Sequence, residues 1–371
     1  MTMQPTNFYR PTFALIDLNA LKMNILNLKK HIGPTIDVIA VVKANAYGHG
    51  DLEVSTAAVE AGASMLAVAT PDEAIRLRSS GIESPILVLG ASPPSFAFTA
   101  SQHDIMLTVF QKDWFLHIPA LPNKLKIHIK IDTGMGRLGV TTESELSTLL
   151  QTINHRQDVM IDGVFTHFAT ADDEDVNQFE SQLEMFKMFL RCFPERPRCI
   201  HTANSAASLM HKDSLFDAVR YGIAMYGLAP SAYVEKKLPF PLEKAMSLHT
   251  EVVHVKKVAK GSSISYGATY TSGEEEWIAT LPIGYADGML RGLSGQEVII
   301  QGKRLPVIGR ICMDQCMVRL DGHVPIGEPV VLIGRQGNEL VTIEEWAQKL
   351  QTISYEVPCV LTNRVPRTYT P

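Results

Sequence analysis

The sequence is poor in cysteine and in excess positive charge and has no long apolar run, and each shortage excludes something. Five cysteines among 371 residues are too few and too scattered for a disulfide framework. They fit a reducing cytosol with free thiols, so a cytoplasmic protein is expected. Cys312 and Cys316 have no second pair to complete a zinc site, so both read as structural and no metal is expected. A formal net charge of -5 leaves no basic surface for nucleic acid. No apolar run approaches the roughly 20 residues of a membrane span, so no membrane partner is expected. The opening MTMQPTNFYRPTF lacks the charged-then-apolar design of a secretion signal. What remains is the composition of an ordinary globular protein, 46% hydrophobic and 20% charged, long enough for one large domain and a smaller one.

The stretch around which the chain is organised is VIAVVKANAYGHG, Val38 to Gly50. Val38 to Val42 are apolar and mostly β-branched, as a strand buried on both faces requires. The run stops on Lys43, whose amine then stands at the strand's C-terminal edge. A lone lysine there ordinarily snorkels to water. Burial instead favours the neutral amine, the nucleophilic form that makes Schiff bases. Asn45, Tyr47 and His49 follow between glycines.

From this point strand-like runs recur at Val38–Val42, Met65–Ala69, Ile86–Leu89, Ile105–Val109, Leu125–Ile131, Ile161–Thr166, Cys199–His201 and Ala218–Tyr221. Helical patterns lie between them, among them Glu53–Ala61, Asp72–Ser79, Glu143–Leu150 and Val176–Cys192. Eight strands alternating with helices over about 190 residues is the count of an α/β fold of the (β/α)₈ TIM-barrel type. Ahead of the barrel, Pro11–Asp17 reads as an extended lead-in, and a helix runs from Asn19 to Gly33. After Pro239–Pro241 the texture changes to short strands with glycine turns, the first a long one at Met246–Val258. The expected organisation is a barrel over residues 1–242 and a mostly β C-terminal domain over 243–371.

Barrels of this type carry their active sites at the C-terminal strand ends. Those ends hold Lys43, Lys130 with Asp132, His167, Asn204 with Ser205, and Arg220 with Gly222. Four reactive residue types on four different strand ends argue for an enzyme. Ser205, Gly222 and Ile223 sit where the last two strands of such barrels bind phosphate, although Ser205 also reads as a plain helix N-cap. Gly134–Gly139 fits G-x-G-x-x-G and raises a nicotinamide oxidoreductase as the alternative. The capping box at Thr142 and Glu145, however, starts the helix beyond these glycines. A loop aiming Arg137 at a carboxylate or phenolate is preferred.

VVKANAYGHG, IDTGMGRLG, HFATAD, ANSAA, VRYGIAMYG, ISYG, LPIGYADG, GRICMDQ and Ile353–Glu356, in that order, resemble the alanine racemase family. The resemblance implies interconversion of L- and D-alanine by two-base proton transfer on a pyridoxal-phosphate aldimine, supplying D-alanine for peptidoglycan. It implies that Lys43 holds pyridoxal 5'-phosphate and acts as one base, with Tyr266 as the other. Tyr47, Asn204, Ser205, Gly222, Ile223 and Tyr355 would belong to the cofactor site, most of them at the phosphate. Arg220 would face the pyridine nitrogen, and His167 would link Tyr266 to Arg220. Arg137 would meet the cofactor's phenolic oxygen and the substrate carboxylate. Met313, Asp314 and Tyr285 would bind the small amino-acid substrate. Lys130 matches a lysine that the family carbamylates. A homodimer with shared active sites is implied. A different pyridoxal-phosphate enzyme on the same scaffold and a non-catalytic cofactor carrier remain alternatives at this stage.

Overall fold

The computed structural model describes residues 8–371. Residues 1–7, with the front of the stretch read for a secretion signal, lie outside the described residues. The chain divides into two units. One comprises Ala20–Ala46 and Asp51–Glu243. The other comprises Lys244–Pro371, Tyr47–Gly50 and, of the described residues, those up to Asn19.

The first unit is a closed, all-parallel barrel of eight strands. With β1 at Phe13–Asp17, they are β2 (Asp37–Val41), β3 (Met65–Val68), β4 (Ile86–Val88), β5 (Ile105–Val109), β6 (Leu125–Lys130), β7 (Val159–Phe165), β8 (Cys199–His201) and β9 (Ala218–Tyr221). Closure is made by β9 pairing with β2. Val38, Ile39, Ala40 and Val41 are all buried, as their unbroken apolar run requires. The intervening helices bury one stripe each. In Glu143–Asn154 it is Leu146, Leu149, Leu150 and Ile153, at spacings of three and four. That helix opens with the expected capping box between Thr142 and Glu145, a device worth about 1 kcal/mol. A second capping box, Thr70 with Glu73, opens Pro71–Ser79.

The second unit is built on a sheet with strands β10 (Met246–Glu251), β11 (His254–Val258), β14 (Glu276–Leu281), β15 (Glu297–Ile300), β16 (Lys303–Ile308), β17 (Cys316–Leu320), β18 (Pro329–Gln336) and β20 (Arg367–Thr370), together with β1. β12 (Ser263–Ile264) and β13 (Tyr270–Thr271) form a small ribbon, and β19 (Glu339–Val341) pairs with β18. Two expectations change here. The single strand read over Met246–Val258 breaks into β10 and β11, because the chain changes partners. Val252 N–H donates to Glu328 O and Val253 N–H to Thr280 O, and β11 then continues along β14. The lead-in Pro11–Asp17, assigned to the barrel by the expected boundary, contains β1 instead. It pairs antiparallel with β10 and parallel with β20, so its hydrogen bonds go to the second unit.

Candidate active site

The barrel gathers its polar residues at the C-terminal strand ends. Lys43 follows β2. Behind it the backbone makes an unusual turn: Ala44, Asn45, Ala46 and Tyr47 all have φ between 52° and 54°. Left-handed helix costs L-residues roughly 1–2 kcal/mol each, so the turn must be held. Glu73 accepts Ala44 N–H at 2.7 Å and Ala69 N–H at 2.7 Å, and the Asn45 side chain accepts Asp51 N–H at 3.1 Å. Strain held by surrounding bonds is typical of functional turns.

Lys130 ends β6 and is buried. Burial first, then the charges of Arg137, Arg220 and Lys43, pull its amine down to about 8. Two residues on, the Asp132 carboxylate accepts four backbone N–H groups, from Gly134, Met135, Gly136 and Arg137, at 2.8–3.1 Å. Burial would raise its pKa, but these four donors hold it below the usual range. The loop of Gly134–Gly139 is therefore wrapped round a carboxylate of its own chain. Its N–H groups are not offered to a pyrophosphate, and the nicotinamide alternative loses its basis. The loop fixes the backbone from which Arg137 projects.

His167, after β7, has its Nδ1 3.2 Å from Arg220 Nη2. Burial, then Arg220, Arg137, Lys130 and Lys43, push its proton affinity well down. Nδ1 faces a permanent donor, so the neutral ring carries its proton on Nε2. Arg220, in β9, is buried, and every acceptor it meets is neutral. Nη1 reaches His201 Nδ1 and His201 O, both at 2.8 Å. Nη2 reaches Thr166 O at 2.7 Å and Thr202 O at 2.8 Å. Its Nε–H has no acceptor among the described residues. Burial lowers its pKa to about 9, which leaves it a cation at neutrality.

The expected N-cap moves by one residue. Asn204 caps Ser205–Met210, its side chain accepting Ala207 N–H at 3.0 Å. Ser205 is thereby released to accept Gly222 N–H at 2.9 Å and Ala224 N–H at 3.5 Å. Its own O–H remains to donate, and Ile223 is buried behind it.

The second unit holds the remaining candidates in three groups. The rings of Tyr47 and Tyr355 lie 6.3 Å apart, and burial first, then electrostatic repulsion from Cys359, pushes the Tyr47 phenol up. Tyr285 and Met313 are joined through backbone: Tyr285 N–H donates to Cys312 O at 3.0 Å and Ala286 N–H to Met313 O at 3.1 Å. Gly284 is required there, since a Cβ would stand 2.3 Å from Met313 O. Asp314 pairs with Arg364 at 2.7 Å, and Arg364 also lies 3.3 Å from buried Asp287, which Arg10 grips through both carboxylate oxygens. Tyr266 stands apart on a turn with Ser265 at φ 70° and Gly267 at φ 73°, tied by Ser265 Oγ donating to Arg310 O at 2.5 Å. It is 72% exposed.

Sequence reasoning missed His128, His201, Asp162 and Glu73. The two histidines lie in K-I-H-I-K and C-I-H, where strand alternation could have marked them as facing the same way as their polar neighbours. The role of Glu73 beyond its capping box left no signal.

A family model described as the N-terminal domain of alanine racemase matches residues 16–230, and one described as its C-terminal domain matches residues 245–369. The curated alanine racemase of Geobacillus stearothermophilus is 52% identical over 366 residues, covering 98% of this chain and 94% of its own. The crystal structure of an alanine racemase from Bacillus anthracis with bound L-Ala-P superposes with a TM-score of 0.95 at 46% identity, covering 99% of this chain and 96% of that one. A histidine racemase from Leuconostoc mesenteroides reaches a TM-score of 0.93 at 29% identity, over 98% of this chain and 99% of its own.

Proposed function

The chain belongs to the alanine racemase family, and from that premise we propose that it interconverts L- and D-alanine with pyridoxal 5'-phosphate on Lys43 and with Tyr266 as second base. The observation that carries the cofactor is the charge balance of the barrel site. Lys130 Nζ and Arg220 Cζ both lie over the Phe165 ring, 5.7 and 5.2 Å from its centre, and with Arg137 and Lys43 they depress the proton affinity of His167, while the carboxylate of Asp132 is taken up by its own loop. Such a cluster calls for an anion with several acceptors. The Nε–H of Arg220 adds a single donor suited to a ring nitrogen.

In this reading Tyr47, Asn204, Ser205, Gly222, Ile223 and Tyr355 hold the cofactor, with the Ser205 hydroxyl donating to the phosphate. Arg220 would donate through Nε and, remaining protonated, would favour a ring nitrogen without a proton. Bound pyridoxal phosphate would supply an electron-withdrawing ring that stabilises negative charge at Cα. The protein moves the proton. Lys43 Nζ takes or returns it on one face of Cα and Tyr266 Oη on the other. His167 donates from Nε2 to orient Tyr266. Arg137 clamps the substrate carboxylate, and a carbamate on Lys130 would hold Arg137 in a charge-assisted pair. Met313, Asp314 and Tyr285 close round a small side chain. The family resemblance implies that Tyr266 comes from a second copy in a two-fold dimer, which would set the two bases on opposite faces of Cα. Among the described residues no helix is long and apolar enough to cross a membrane, in keeping with a cytoplasmic enzyme that makes D-alanine for peptidoglycan.

The test is reconstitution of the cofactor-free protein with pyridoxal phosphate. A visible absorption band, trapped on Lys43 by borohydride, and conversion of L- to D-alanine are expected. No band and no turnover would overturn the reading. Histidine turned over as well as alanine would replace the substrate.

A further inference from the structure

A chain of side chains runs through the barrel interior behind Arg220. His201 Nδ1 accepts from Arg220 Nη1 at 2.8 Å. The other nitrogen of His201, Nε2, lies 2.8 Å from His128 Nδ1. The far nitrogen of His128, Nε2, has no hydrogen-bond partner and faces Asp162 Oδ2 at 3.6 Å. His128 is on β6 and His201 on β8, with β7 between them, so the two imidazoles meet only across the interior. Both are fully buried.

The protonation pattern of this chain is dictated from one end. A guanidinium only donates, so His201 Nδ1 must be a bare acceptor and its proton must sit on Nε2. That proton is donated to His128 Nδ1, and the His128 proton is then forced onto Nε2, toward the Asp162 carboxylate. A charged His201 would lose its acceptor and set two cations in contact. Burial first, then Arg220 and His128, keep it neutral.

The fold is cut to admit the pair. Gly163, on β7, is in register with His128 on one side and Cys199 on the other. A Cβ at Gly163 would stand 2.5 Å from His128 Nδ1 and 2.7 Å from Cys199 O. The β6–β7 register also slips between Ile127 and His128. Phe165 covers His201, rings stacked 4.7 Å apart, and lies 5.2 Å below the guanidinium. An apolar filling would need neither the glycine nor the slip, and buried polar groups are costly unless bonded.

We propose that His128 and His201 are positioning residues for the reaction, a tautomer-locked pair that occupies Nη1 of Arg220 and so leaves Nε–H as the one donor presented to the cofactor ring. The pair acts through Arg220 and touches no substrate. This inference rests on the cofactor reading above.

The experiment compares His128→Leu with His128→Asn, using apo-protein titrated with pyridoxal phosphate. The Asn side-chain oxygen can replace His128 Nδ1 as acceptor for His201 Nε2–H, whereas Leu offers none. Leu should weaken cofactor binding about tenfold, the effect of one lost hydrogen bond to a charged network. It should also raise pyruvate formed per racemisation, the sign of a mis-held ring nitrogen. Asn should restore both toward wild type. Should Leu fail to fold, His128→Gln, whose acceptor is displaced by one bond, should behave as Leu. Equal behaviour of Asn and the non-accepting variant, or no change in either readout, overturns the proposal. A wild-type apo-protein that binds no pyridoxal phosphate would fail the functional reading instead.

Discussion

The two units carry their candidate residues in opposite ways. In the barrel, buried Arg220 and half-buried Asp132 are each held by several bonds: four acceptors round Arg220 within 2.8 Å, four N–H groups on Asp132. In the β unit, Tyr266, Met313 and Tyr285 are 72%, 52% and 38% exposed, although the turns beneath them are firmly tied. The barrel set is complete within its own packing, as preorganised electrostatics demands. The β set displays apolar and phenolic groups on turns held by their own bonds. Under the function proposed above, the barrel residues would form a finished half-site and the β residues the half that a second copy completes.

The comparison is broken most severely at the finished half. Lys43→Ala should abolish borohydride labelling and lower kcat by about 10³-fold or more, the upper range for loss of a positioned base. Strong labelling that survives in this variant would place the anchor on another lysine. The displayed half is tested by mixing. Lys43→Ala and Tyr266→Ala chains, each inactive alone, should together recover about a quarter of wild-type activity, since half the dimers are mixed and each repairs one of two sites. A mixed dimer, isolated and inactive, would put both bases in one chain.

A milder change separates loop from charge. Asp132→Asn keeps the shape but weakens four charge-assisted bonds, so the Arg137 loop should loosen and KM for alanine rise about tenfold. A drop in kcat with KM unchanged would give Arg137 a different part. The smallest effect concerns Lys130. With its amine at about 8, the neutral, carbon-dioxide-reactive fraction grows as pH rises from 7 to 9. At constant carbon dioxide pressure a carbamate signal in ¹³C NMR should therefore strengthen over that range. A pH-independent or absent signal would leave Lys130 an ordinary buried amine.

Much of the barrel was legible because buried parallel strands and amphipathic helices are written in local periods. All eight strands fall where their apolar runs lie, and the Thr142–Glu145 capping box correctly took the helix start past the glycines. The glycine loop left a nicotinamide alternative open, because its spacing cannot show that Asp132 would take up its N–H groups. Ser205 was read as an N-cap although Asn204 does that work, a one-residue choice between two good capping residues. The left-handed turn after Lys43 was unreadable: Ala44 is held there by Glu73, a partner distant in sequence, and the Asn45 side chain ties the turn to Asp51. β1 was misplaced because its partners, β10 and β20, lie at the other end of the chain.

That last feature bears on the order in which the molecule is made. β1 leaves the ribosome well before β20, yet Ala14 and Leu15 pair with Arg367 and Thr368. At ribosomal speeds the wait is roughly tens of seconds, far longer than the microseconds to seconds in which small domains fold. The barrel strands, synthesised in between, close on one another without either terminus. Phe13–Asp17, with Phe13, Ala14 and Ile16 apolar and destined for burial, must meanwhile stay unpaired on its β20 side. Nascent chains arrested at Pro366 should therefore contain a protease-resistant barrel while β1 remains open to chaperones and to strand exchange. The arrival of β20 then acts as the clasp.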